Sequence, residues 1–182
     1  MPRSSANAVR IIGGRCRGRI VRFPPAAQLR PTPDRVRETL FNWLGQDLAG
    51  QKTLELYAGS GALSLEALSR GAAAATAVDR DPRLVAAVAD NARALGLDGL
   101  EAVRADAQRY LERAGLSYDV IFCDPPYAED PWSWLLPACL RSLAPGGAVY
   151  AEAARRLDPA AGLALVREGR AGQVVYHLFR PA

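Results

Sequence analysis

The pattern of apolar and polar positions changes rhythm near residue 50, and the two parts predict different architectures. Between residues 9 and 23, VRIIGGRCRGRIVRF sets short apolar runs among arginines around Gly13-Gly14 and Gly18. That predicts two short strands. Pro24-Pro25 through Pro31 reads as a linker. Val36, Leu40 and Trp43-Leu44 then recur at helical spacing, which predicts a helix over roughly 34–44. Thr32 is placed to cap it, Pro33 to occupy its first position and Gly45 to end it.

From Thr53 onward the chain alternates strand-like and helix-like runs. TLELY, TAVDR, LEAVRAD, YDVIFCD and AVYAEA read as strands. GALSLEALSRG, PRLVAAVADNARALG, AQRYLERAG and PWSWLLPACLRSL read as helices, the last interrupted or restarted near Pro137. The tail, LALVREGRAGQVVYHLFR, reads as two strands joined around Gly169–Gly172. Such alternation predicts an α/β fold: a doubly wound, mostly parallel seven-stranded sheet with an antiparallel C-terminal edge hairpin and a small basic N-terminal β extension. The expected division is an arm over residues 1–30 and a main domain over 31–182. In sheets of this kind, ligands lie beyond the C-terminal strand ends where strand order reverses.

Composition narrows the classes of function. The 182 residues are 49% hydrophobic and 23% charged, as in ordinary globular proteins. No run reaches the roughly 18–20 apolar residues of a membrane span, and the first ten residues lack a signal-peptide core, so a cytoplasmic protein is expected. Cys16, Cys123 and Cys139 share no CxxC spacing, so reduced structural thiols are expected and no metal site. His177 is the single histidine, which removes Ser-His-Asp triads and multi-His metal sites. It is expected to be a surface or partly buried strand residue without a chemical role.

Charge is uneven. Residues 1–37 hold nine arginines against one acid, Asp34, a balance of +8; the remainder holds 14 basic and 18 acidic side chains, a balance of −4. A basic arm on an acidic body predicts a polyanionic partner. Of the basic residues, 22 are arginine and one is Lys52; arginine binds phosphate as a bidentate fork and stacks on bases.

The candidate chemistry lies at strand ends. Gly59-Ser60-Gly61 after the first main-domain strand permits a tight turn and close approach of a ligand, but Ser64 replaces the third glycine of a dinucleotide turn. Asp79 ends the next strand, 18 residues beyond Gly61, where an acid accepts from ribose hydroxyls. Its alternative is helix capping, which Asp81 beside Pro82 serves better. Asp106, at the third strand end, is placed either to accept from an adenine amine or to cap the following helix. Asp124-Pro125-Pro126-Tyr127 ends the fourth. The prolines remove two backbone donors and stiffen the loop, leaving acceptors beside an aromatic face. A rigid, acceptor-only corner complements the exocyclic amine of a planar base. Holding both N–H groups favours a geometry in which the lone pair points at an electrophile, with no neutral-pH base needed beforehand.

These residues together resemble the S-adenosylmethionine-dependent methyltransferases with a Rossmann-like fold. The closer resemblance is to the bacterial RsmD-type family, which methylates guanine N2 in small-subunit ribosomal RNA. It extends over nearly the whole chain and rests on RIIGG and RGR within residues 10–19, LRPTPDRVRETLFNWL (29–44), AGSGALSLEALSRGA (58–72), DPPY (124–127) and AGQVVYHLF (171–179). It implies cofactor contacts at Glu55, Tyr57, Gly59, Ser60, Gly61, Asp79, Arg80, Asp106 and Ala107, with Asp79 on ribose and Asp106 near adenine. It implies Asp124, Pro125, Pro126 and Tyr127 at the target guanine, guanine 966 of 16S rRNA. It implies phosphate contacts from Arg10, Arg15, Arg17, Arg19, Arg30, Arg35 and Arg37, with an assembled or nearly assembled small subunit as partner. Glu55, Tyr57, Ser64 and Asp79 stand where the family more often has Asp, Phe, Gly and Glu. A monomer without metal is expected. The residues alone leave three other readings: an adenine-N6 methyltransferase on DNA or RNA, an NAD-dependent oxidoreductase, and a non-catalytic ribosome-assembly factor.

Overall fold

The computed structural model describes residues 8–26, 29 and 31–182. Its main sheet has seven strands: β3 (Lys52–Leu56), β4 (Ala74–Asp79), β5 (Leu100–Arg104), β6 (Tyr118–Cys123), β7 (Leu143–Ala153), β8 (Leu163–Ala171) and β9 (Val174–Pro181). Their order is β5-β4-β3-β6-β7-β9-β8. The first five run parallel, and β9 and β8 close one edge antiparallel, as expected. A small separate sheet pairs β1 (Ala8–Arg10) with β2 (Ile20–Arg22). Order reverses between β3 and β6, so β3 stands centrally with neighbours reached in opposite directions.

Period-two alternation sorts the strand side chains into two cores. Val120, Phe122, Ala148, Tyr150 and Leu178 face one layer with α1 (Asp34–Leu44), α2 (Ala62–Ser69), α3 (Pro82–Leu95) and the N-terminal hairpin. Leu54, Leu56, Ile121, Cys123, Val149 and Ala151 face the other, with α4 (Ala107–Leu111) and α5 (Trp132–Arg141). The three cysteines are buried free thiols. Among the described residues, no helix is long and apolar enough to cross a membrane.

Several local expectations are corrected. Thr32 does not cap α1; Pro33 occupies the cap position, and the Thr32 hydroxyl donates instead to Glu152 Oε1 at 2.8 Å. Gly45 does end the helix, in the left-handed region at φ 96°. Helix α5 runs unbroken through Pro137, which removes one backbone donor opposite the exposed Ser133. Packing of Leu135, Leu136, Ala138 and Cys139 holds the helix across it. His177 is fully buried rather than near the surface. Its Nε2 accepts from the Leu157 N–H at 3.0 Å and its Nδ1 bonds the Ala151 carbonyl at 3.2 Å, which requires the neutral ring. Burial holds its pKa below the usual value, in keeping with that neutral form.

The N-terminal hairpin packs on the main sheet's layer through Val9, Ile11, Cys16, Val21 and Phe23. One carboxylate fastens it. Glu66 in α2 is fully buried and accepts from the Ile12 and Gly13 N–H groups at 3.0 and 2.7 Å. It also accepts from Arg37 Nη1 at 3.4 Å and Arg70 Nε at 2.9 Å. Gly14, at φ 72°, passes so close that a Cβ there would meet the Ser69 carbonyl at 1.9 Å. Glu66→Ala removes the shared acceptor and strands the buried Arg37 charge. The expected loss is about 3–5 kcal/mol, read as a lower urea midpoint at unchanged m-value; a loss below about 1 kcal/mol would contradict this role.

Candidate functional site

The C-terminal ends of β3, β4, β5, β6 and β7 open into a cleft of about 840 Å³. The turn after β3 forms its floor. Tyr57, Gly59 and Gly61 all adopt positive φ, at 56°, 56° and 70°. Two are glycines, to which this region is open; Tyr57 is not, and its strain marks the turn as over-determined by its surroundings. A Cβ on Gly61 would lie 2.6 Å from both Val88 methyls, so α3 presses on the turn from behind. Ser60 Oγ accepts from the Ala62 N–H at 3.3 Å.

Glu55 points at the start of α2. Its carboxyl accepts from the Ser64 N–H at 2.8 Å and the Leu63 N–H at 3.4 Å, where the free amides of a helix start meet an acid. Burial nevertheless pushes its pKa up to about 7, against the pull of those bonds. Burial likewise raises the pKa of the Tyr57 hydroxyl.

Asp79, at the end of β4, accepts from the Gly59 N–H and the Asp81 N–H, both at 2.9 Å. It braces the turn and leaves the capping of α3 to Asp81, which accepts from the Arg83 N–H at 2.9 Å. Asp106 caps α4, accepting from the Gln108 and Arg109 N–H groups at 3.0 and 3.2 Å. Both bonds fall on Oδ1, and Asp106 also lines the cleft with Ala107. Arg80, beside Asp79, is ion-paired with Glu129.

Asp124 begins the loop after β6 and faces this cleft. Among the described residues, no group donates a hydrogen bond to its carboxyl. Burial drives its pKa well above the usual range, and the nearby Glu152 and Glu55 carboxyls add to the rise. Pro125 is buried behind it, and Pro126 accepts from the Glu129 N–H at 2.9 Å to close the turn. Tyr127 is 49% exposed at the rim. The turn, the strand-end acids and the DPPY loop thus share one cleft.

Glu152 in β7 also lines the cleft, buried to 3% exposure, and sequence reading missed it. Its signal was faint: a single acid in an otherwise apolar strand, AVYAEA. Burial raises its pKa, offset by the hydroxyls of Tyr150 and Thr32, each 2.8 Å from Oε1.

The arginines divide. Arg10, Arg15, Arg17, Arg19 and Arg35 are exposed, with Arg10 3.4 Å from Asp34 and Arg15 Nη2 2.9 Å from the Gly96 carbonyl. Arg37, grouped with them on sequence, is fully buried and bonded to Glu66, Asp34 and the Thr32 carbonyl. No phosphate can reach it, so its assignment to RNA is corrected to a structural one. Arg30 lies outside the described residues.

Comparison with known proteins finds relatives over nearly the whole chain. A family model described as conserved hypothetical protein 95 matches residues 9–180. Ribosomal RNA small subunit methyltransferase D of Escherichia coli is 37% identical over 97% of this chain and 92% of its own. The solved structure of the Escherichia coli protein yhhF superposes at a TM-score of 0.87, with 35% identity over 96% of this chain and 98% of that one. An RNA methyltransferase from Salinibacter ruber, solved with S-adenosyl-L-homocysteine, shares the fold at a TM-score of 0.64 and 22% identity, over 82% and 92% of the two chains.

Glu55 supplies a pH test. A carboxyl whose folded pKa is raised lends its full stability below the unfolded value, near 4.5, and loses it as pH climbs through about 7. Glu55→Gln carries no charge to bury. The stability of the variant minus that of the native chain should therefore grow between pH 5 and pH 8, by about 2–3 kcal/mol, in paired urea titrations. A flat difference would show that Glu55 is already ionised at low pH.

Proposed function

The chain belongs to the ribosomal RNA small subunit methyltransferase D family, and on that footing we propose that it methylates guanine N2 in 16S rRNA, at guanine 966, using S-adenosylmethionine. The observation that carries this reading is the pairing of a stiff, donor-poor acid loop with a glycine turn in one cleft. The substrate is an assembled or nearly assembled small subunit, met in the cytoplasm by a monomer.

The residues present fit the cofactor. Gly59, Ser60 and Gly61 keep side-chain bulk away from the turn, and Glu55 and Tyr57 stand at its edges. Asp79 spends one lone pair of each oxygen on backbone N–H groups and keeps others for ribose hydroxyls. Arg80, Asp106 and Ala107 line the same cleft, and on this reading they would border adenine. When bound, S-adenosylmethionine supplies an electron-poor methyl group on a sulfonium.

The chain's part is to hold and orient. Asp124 and the Pro125 carbonyl accept the two N–H groups of the guanine amine, and Tyr127 offers its ring as a stacking face. With both hydrogens held, the N2 lone pair is aimed at the methyl. Transfer would form the N2–C bond at the expense of the S–C bond, whose electron pair would stay on sulfur. The surplus N2 proton passes to Asp124, whose raised pKa suits it to accept, and then to solvent. Positioning and acceptor placement do the catalysis.

Asp124→Ala is expected to lower radiolabelled methyl transfer to small subunits by about 10³-fold while leaving S-adenosylmethionine affinity within about threefold. Full turnover in that variant would remove Asp124 from the mechanism. The same assay on naked rRNA and DNA, with mapping of the labelled base, separates guanine-N2 from adenine-N6 transfer.

The exposed arm arginines are proposed to meet RNA phosphates. Replacing Arg15, Arg17 and Arg19 together should weaken RNA binding and make the slope of log K against log salt shallower by about 2–3. An unchanged slope would place the phosphates elsewhere.

A further inference from the structure

Glu152 lines the cleft without a part in that transfer. Its position is set by register. Cys123 of β6 and Ala151 of β7 are partners in a parallel ladder, so the next residues, Asp124 and Glu152, leave the same sheet face side by side. Strand spacing places their backbones about 5 Å apart. Glu152 is not free to turn: Thr32 and Tyr150 both donate to Oε1. Among the described residues, Oε2 receives no donor, and neither does the Asp124 carboxyl. Two carboxyls, Glu152 buried and Asp124 half-buried, stand side by side and short of donors in one cleft. They call for a ligand with two adjacent N–H groups on one edge.

We propose that Glu152 accepts the ring N1–H of the target guanine while Asp124 and the Pro125 carbonyl hold its amine, making Glu152 the residue that selects guanine over adenine. This rests on the guanine-N2 reading above. In guanine the amine is flanked by N1–H, a donor. In adenine it is flanked by N1 with a bare lone pair, which would face carboxylate oxygen and be repelled. The DPPY loop grips an amine on either base, so discrimination has to come from what lies next to it. Glu152 is that neighbour. It also assists the chemistry: charge developing on N2 spreads over N1–C2–N3, and a carboxylate on N1–H stabilises it. Thr32 acts through Glu152, as a positioning residue that fixes its rotamer from the segment before α1.

Small subunits reconstituted with guanine or 2-aminopurine at the methylated position test this. 2-Aminopurine keeps the amine but presents N1 as an acceptor. The native chain should prefer guanine by about tenfold or more in kcat/KM. Glu152→Gln brings an amide N–H that can donate to N1 of 2-aminopurine, so the preference should shrink to about threefold or less, with cofactor affinity and Tm held. A preference unchanged in Glu152→Gln overturns the proposal. So does an equal loss on both substrates with a lowered Tm, which would leave Glu152 as a brace for the Thr32 segment. Should Glu152→Gln not fold, Thr32→Val is expected to narrow the same preference, and an unchanged preference there counts equally against it. A native chain that binds S-adenosylmethionine but methylates no guanine fails the underlying reading, and this one with it.

Discussion

A carboxyl group leaves water only where other donors replace the water it gives up. Among the described residues, Glu66, Glu55 and Glu152 are buried and Asp124 is half-buried, with unequal compensation. Glu66 is saturated by two backbone N–H groups and two guanidinium groups. Glu55 has two backbone donors at the start of α2, yet its pKa still rises to about 7. Glu152 has two hydroxyls on one oxygen, and Asp124 has no donor among the described residues. Compensation falls from the scaffold toward the cleft. The saturated acid is bound up in the fold, and the least satisfied one lines the cleft.

Sheet geometry produces that gradient. Glu55 and Phe122 are register partners in β3 and β6, so Glu55 shares a face with Phe122 and, one alternation further, with Asp124. Asp124 and Glu152 follow from the next ladder pair. All three acids leave the face covered by α1, α2 and the hairpin. Helix α2 links the parts: Glu55 holds its first turn, and Glu66, on the same helix, holds the hairpin loop. The strained Tyr57 lies between β3 and α2, where the chain must turn sharply while Asp79 grips the Gly59 N–H.

Much of this was legible from residue patterns, because it rests on local rules. Alternation gave the strand-helix order, Gly45 the end of α1, and Asp81-Pro82 the start of α3. The acid-Pro-Pro-Tyr loop could be read because proline removes donors wherever it stands. What escaped depends on partners distant in sequence. Glu66 meets residues 53 and 54 positions away, and Thr32 meets Glu152 across 120. Arg37 was open to a better reading. It shares the helical stripe of Val36, Leu40 and Phe41, so its side chain had to enter the core. Charge clustering outweighed periodicity there, wrongly. Pro137 misled in the opposite sense, since core packing kept α5 whole across a residue that ends isolated helices.

The segment from Thr32 to Arg37 ties binding to chemistry in the proposed function. Thr32 orients Glu152 in the cleft. Asp34 pairs with Arg10 on the hairpin and with Arg37 at 2.5 Å. Arg37 reaches Glu66, which holds the hairpin loop. One continuous chain of polar contacts therefore runs from Arg10 on the hairpin through Asp34, Arg37 and Thr32 to Glu152 in β7. Phosphate contacts fix register and orientation but carry no sequence, whereas base-edge contacts carry sequence and little affinity. A chain that divides the two tasks must keep a constant offset between them. In the proposed function that offset would be set by the ion pairs that join Arg10, Asp34, Arg37 and Glu66 in and around the core.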